Sequence, residues 1–295
     1  MSVIRFLGCL FITYAPLFVL ICQYVLLDAK LLIIALSSCF FWMISILFTS
    51  LIWLAVPPLY ETNIWIIIVS FVCQEIIRYL FFRLLLLLER TINYHSRLGQ
   101  RQSEIHYIKG SLASGLGFGV GYVLVMNTGL LTKAAGPGDL EASGCSMSLF
   151  VLNSFNAQIF GLLNVAWTMI MFIVLKQYKY KYGQTREKQI LKLKVIVSLV
   201  SHFAASCITM IDNCAVTLTL LYLLLICICV LAVYITFGHI KGKKDEFSTI
   251  IQDRIPLGLN DSNSDKKSKH ENEKEKVKEK KDSSSSTTAS SSESN

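Results

Sequence analysis

The sequence predicts an all-α polytopic membrane protein with seven transmembrane helices, a lumenal or extracellular amino terminus and a cytosolic carboxyl terminus. Three observations predict it. Of the 295 residues, 53% are hydrophobic and 16% charged, and the mean hydropathy is +0.53. The apolar residues gather in seven runs, about 6–27, 31–56, 63–88, 110–131, 148–175, 191–211 and 214–238. Each is close to the roughly 20 helical residues that cross a hydrocarbon layer about 30 Å thick. Finally, basic residues concentrate in alternate connections, as cytoplasmic loops do.

The first run follows Arg5 and has no small-residue cleavage site. It is also longer than a secretory h-region, so it reads as a span and not as a removed leader. The first connection, with Asp28 and Lys30, is nearly silent about orientation, and after the second run only Glu61 is charged. The third run contains CQEIIRYLFFR. Glu75 and Arg78, three apart, can pair on one helix, and Gln74 lies four from Arg78. An ionised group in hydrocarbon is costly, so both charges should face protein, in a network that fixes helix registry. Arg83 and Arg90 can snorkel toward the surface. The connection beyond carries Arg90, Arg97, Arg101 and Lys109, which places it in the cytosol.

The fourth run holds GSLASGLGFGVGY over 110–122, with five glycines in thirteen residues. A phosphate loop would continue into Lys-Ser/Thr, which is missing here. A helix keeps its backbone satisfied in lipid, so a span is the better reading. At about 100° per residue, Ser111, Gly115 and Gly119 form one small-residue groove. Gly110, Ser114, Gly117 and Gly121 form a second, roughly 130° away. Two grooves fit a central helix pressed on both sides. Whether a helix of this chain or of another chain fills each one stays open at this level.

The fourth connection, TKAAGPGDLEASG, offers Lys133 against Asp139 and Glu141, whereas the fifth has seven basic residues and one acid over 176–194. Odd-numbered connections therefore face the cytosol. Asn164 sits midway along the fifth run, and the sixth contains VSLVSHFAASCIT with Ser198, His202 and Ser206 at spacing four. Asn164 and His202 could hydrogen-bond across helices. His202 has no nucleophile-and-base constellation and no HExxH context, and Asp28 and Asp212 lie at span ends on opposite sides. Catalysis by this chain alone, and a bound metal or cofactor, are not expected. The sixth and seventh runs are divided only by Asp212 and Asn213, which asks for a tight turn.

Residues 1–238 therefore form the seven-helix domain, and 239–295 a disordered, charged and Ser-rich cytosolic tail. Tail charges nearly cancel, twelve basic against eleven acidic, so most of the formal +8 lies in the first 238 residues, beside the membrane. That favours membrane lipid over nucleic acid as the partner of the basic excess. Seven of the nine cysteines fall within spans, where they read as small apolar residues, while Cys145 and Cys214 lie near the outer face and could pair. The sequon at Asn260 falls in the cytosolic tail, so no glycan is expected.

Gln74-Glu75 with Arg78 and Tyr79, GLGFG at 115–119, GPG at 136–138 and Ser201-His202 together resemble the APH-1 family, over most of residues 1–238. The resemblance implies a non-catalytic scaffold of the gamma-secretase complex, an intramembrane aspartyl protease that cuts single-span membrane proteins such as Notch. It implies presenilin, nicastrin and PEN-2 as partners, in endoplasmic reticulum, Golgi and plasma membrane. Gly115 and Gly119 look like the first two glycines of the family's helix-packing motif, whose third falls at Val123, with Gly121 nearby as a substitute. His202 looks like one of two family histidines, and the other falls at Asn164, which cannot titrate near neutral pH. A seven-helix orphan receptor shares the count and orientation, but the double groove and the Gln-Glu-x-x-Arg element favour a scaffold. A transporter would need matching half-repeats, which the sequence does not offer.

Overall fold

The computed structural model describes residues 3–56, 63–95, 104–134, 147–180, 185–211 and 213–254. Among them the architecture is seven α-helices: α1 Val3–Tyr24, α2 Ala29–Ala55, α3 Asn63–His95, α4 Glu104–Ala134, α5 Leu149–Tyr180, α6 Thr185–Ile208 and α7 Cys214–Arg254. All seven contain a stretch long and apolar enough to cross a membrane. Long apolar segments become helices here because lipid offers no partner for a free N–H or C=O. Hydroxyls inside the spans follow the same rule: Ser38, Ser45, Ser111, Ser114 and Ser154 each donate to a carbonyl three or four residues back.

The ends of the helices have local causes. Asp28 caps α2, its Oδ1 accepting from the Lys30 N–H at 3.0 Å. Asn213 caps α7 in the same way, accepting from the Val216 N–H at 3.3 Å. The turn before it is closed by Met210 N–H to Cys207 C=O and Ile211 N–H to Ile208 C=O, both 3.1 Å. Asp212 itself, the GPG stretch and Cys145 lie outside the described residues. So do Asn260 and the rest of 255–295. Residues 239–254, which composition groups with the tail, continue α7 as helix to Arg254. The chain divides into two units between Ile240 and Lys241.

Within the first unit α5 is the axis. Of its membrane-length stretch 78% is buried, against 56% for α4 and 17% for α1 and α3. α4 lies between α2 and α5, and α1 rests on both α4 and α5. α3 packs beside α2 and reaches α6, which in turn lies on α5. α7 joins through side chains: Leu221, Leu225, Ile228, Ala232 and Ile235 share a core with Leu163, Trp167 and Ile170 of α5.

Candidate functional site

Both grooves of α4 are filled from within the chain. A Cβ on Gly115 would stand 2.8 Å from the Val165 carbonyl oxygen, and one on Gly119 would stand 2.5 Å from that of Gly161. These two glycines therefore receive the backbone of α5. On the other side, a Cβ on Gly117 would collide with the Ala35 carbonyl oxygen and the Ser38 hydroxyl, and one on Gly121 would lie 3.1 Å from the Trp42 ring. That face receives α2. The obstacle at three of the four positions is backbone, which cannot rotate aside. Gly110, by contrast, has only the tip of Ile34 at 3.9 Å.

Val123, one turn beyond Gly119 on the same face of α4, is fully buried. Space for it comes from the facing helix: a Cβ on Gly161 would stand 2.8 Å from Val123 Cγ2. At this level the small residue of the seam is on α5 and the large one on α4. Val123→Gly is therefore expected to lower stability by on the order of 2 kcal/mol, from the lost methyls and the added backbone freedom. Thermal unfolding in detergent of Val123→Gly beside the parent chain checks this, and an unchanged midpoint would contradict the seam.

The polar residues of α3, α5 and α6 form one chain of bonds at membrane depth. Arg78 is paired with Glu75 through Nη1, and its Nη2 donates to Asn164 Oδ1 at 2.7 Å. Glu75 Oε1 lies 2.5 Å from His202 Nδ1. A carboxylate only accepts, so the imidazole donates from Nδ1. Asn164 and His202 thus do not hydrogen-bond to each other; the ion pair of α3 links them. Asn164 also donates back to the Phe160 carbonyl at 3.0 Å, which orients its amide.

Aromatic rings enclose this chain. Trp167 stacks on His202 at 4.1 Å between centroids, while its indole N–H donates to Ser201 Oγ at 2.9 Å. Phe71 meets the imidazole edge-on at 5.1 Å, and the Arg78 guanidinium lies 5.6 Å from the Phe118 centroid. Arg78 is 1% exposed and His202 3%. One positive and one negative charge cancel, so the assembly tolerates its depth. Glu75 Oε2 and Arg78 Nε are buried without a hydrogen-bond partner. The network consequently sets registry among three helices more than it adds net stability. Gln74 is not part of it; its amide donates to Ser70 Oγ at 3.0 Å.

Two further clusters were not singled out from the sequence. Toward the end of α4 and the start of α5, midway along α1, Asn153 donates to Asn127 Oδ1 at 2.7 Å, Asn127 to Thr13 Oγ1 at 3.0 Å, and Thr13 to the Ser154 carbonyl at 3.3 Å. These tie α1, α4 and α5 together. At the opposite end, Lys176 meets Glu89 at 3.1 Å and sits 3.5 Å above the Tyr107 ring. An asparagine amid VLVMNTG, or a lysine after a long apolar run, is the only signal either cluster leaves.

Among the described residues no group of His, Cys, Asp or Glu is placed to hold a metal ion. Cys214 is disulfide-bonded, whereas Cys9, Cys22, Cys39, Cys73, Cys207, Cys227 and Cys229 are free thiols.

Comparison with known proteins gives a consistent result. A family model described as Aph-1 protein matches residues 4–243. The chain is 30% identical over 172 residues to the Gamma-secretase subunit Aph-1 of Drosophila melanogaster, covering 58% of this chain and 71% of that protein. It is 25% identical over 224 residues to the Gamma-secretase subunit Aph-1b of Danio rerio, covering 72% and 80%. With the Gamma-secretase subunit APH-1B of Homo sapiens it shares 27% over 183 residues, covering 58% and 69%.

Proposed function

The chain belongs to the Aph-1 family, and from that premise we propose that it is a non-catalytic, assembly-stabilising scaffold subunit of a gamma-secretase complex. The match across 4–243 carries this reading, together with relatives named as gamma-secretase subunits. The complex would cut single-span membrane proteins within their spans, with presenilin supplying the catalytic aspartates and nicastrin and PEN-2 completing it. Among the described residues none of the seven membrane-length stretches contains an aspartate, which suits a subunit that supports another subunit's chemistry.

The scaffold role follows from rigidity. Helices pressed backbone to backbone along α4, and locked in register by Arg78, Glu75, Asn164 and His202, present partners with a preformed surface, which lowers the ordering cost of association. In this reading Gly115, Gly117, Gly119 and Gly121 support assembly indirectly, by holding the bundle that partners recognise. We also place the amino terminus outside and the ends of α3 and α5 in the cytosol. The basic third and fifth connections support that orientation. So does the disulfide at Cys214, which suits an oxidising lumenal face. Endoplasmic reticulum, Golgi and plasma membrane are the proposed compartments.

Native pull-down in mild detergent with partner identification tests the class. A presenilin-like protein with two membrane aspartates is the expected partner, and recovery of a G protein in its place would overturn the scaffold in favour of a receptor. His202→Ala removes the donor to Glu75 and the stacking on Trp167. It should cost about 1 kcal/mol or more of bundle stability and lower recovery of the protease subunit. Full recovery with unchanged unfolding would make His202 a bystander.

A further inference from the structure

We propose that the end of the bundle where α3 and α5 finish holds a binding site for the headgroup of an anionic phospholipid, formed by Arg83 and Arg90 of α3 and Lys179 of α5. Ile76, Leu80, Arg83, Leu87 and Arg90 recur at alternating spacings of four and three and are all exposed. They form one stripe along α3. On the adjoining face Glu89 is engaged by Lys176 at 3.1 Å, and Tyr107 lies beneath that ammonium while donating to the Phe172 carbonyl at 2.8 Å. This clamp joins α3, α4 and α5 and consumes the carboxylate of the cluster.

Lys179, three residues past Lys176, is half-buried and lies within electrostatic reach of Arg90 and Arg83, and of Glu89, whose carboxylate is already engaged by Lys176. Arg83 donates to the Tyr79 hydroxyl at 3.2 Å, which leaves its charge uncompensated. Among the described residues no carboxylate pairs with Arg83, Arg90 or Lys179. Arg90 and Lys179 therefore stand where the membrane-length stretches end, at Thr91 and Lys179, and Arg83, about two turns deeper on the same stripe of α3, can snorkel toward them. That is headgroup depth. Basic pockets between helices at this level suit phosphorylated headgroups, and exposed Ile76, Leu80, Leu84 and Leu87 offer an apolar path for the acyl chain. A zwitterionic lipid brings its own cation and would satisfy the cluster less well.

Native mass spectrometry of the purified full chain in neutral detergent tests the site, with phosphatidylinositol bisphosphate, phosphatidylcholine and soluble inositol trisphosphate as probes. The bisphosphate lipid should be retained over phosphatidylcholine, and the soluble headgroup should displace it poorly. Arg83→Gln and Lys179→Gln should each weaken retention about fivefold, whereas Lys133→Gln at the other end should not. The unfolding midpoint, measured alongside, shows that these variants remain folded, and Arg90→Gln gives an independent reading should one fail. Equal retention of both lipids, undiminished binding in the Arg83→Gln/Lys179→Gln double variant, or full displacement by the soluble headgroup would each overturn the proposal.

Discussion

Gly117→Ala is expected to destabilise the folded chain by about 3 kcal/mol or more, the largest effect of any single methyl added to α4. The new Cβ would occupy the space of the Ala35 carbonyl oxygen and the Ser38 hydroxyl. The hydroxyl can turn, at the loss of its bond to that same carbonyl. The carbonyl is fixed by the ladder of α2, so the helices must separate. Gly119→Ala should follow closely, since its Cβ would stand 2.5 Å from the Gly161 carbonyl oxygen. Gly110→Ala, with ordinary contact only, should be neutral or gain about 0.5–1 kcal/mol from helix propensity. Unfolding of the three variants in detergent provides the ranking. Equal midpoints for Gly110→Ala and Gly117→Ala would refute backbone contact between α4 and α2.

Arg78→Met should be comparably severe. It removes the cation while leaving Glu75 buried beside His202, and breaking one partner of a buried pair costs about 3–5 kcal/mol. It also takes the donor from Asn164 Oδ1. Pairing it with Glu75→Gln removes the stranded charge, so the double variant should be less damaged than the sum of the two single ones. A double-mutant cycle read by detergent unfolding measures this coupling. Strict additivity would mean that the two side chains do not act as a unit.

Why some of this was legible in the sequence and some was not follows from what periodicity encodes. Run length and hydropathy specify spans, and the Asp212-Asn213 interruption specifies a turn between α6 and α7. Phase along a helix places Gly115 with Gly119 and Gly117 with Gly121, because that is a property of one segment. It does not say that α5 fills the first groove and α2 the second, since both are long apolar helices with little to distinguish them. The same limit hid the link between Asn164 and Arg78, 86 residues apart, and grouped Gln74 with a network it does not join. Val123 shows a related limit: its compensation lies in Gly161, on another helix, where no local pattern points to it.

The order in which the helices leave the ribosome gives the double seam of α4 a consequence for biogenesis. α2 is already in the bilayer when α4 arrives, so the side bearing Gly117 and Gly121 can close at once. The side bearing Gly115 and Gly119 must wait until α5 has been made. During that interval a strip of naked peptide backbone is open to any neighbouring helix, and the nascent chain is most exposed to mispairing just before its own fifth segment covers it.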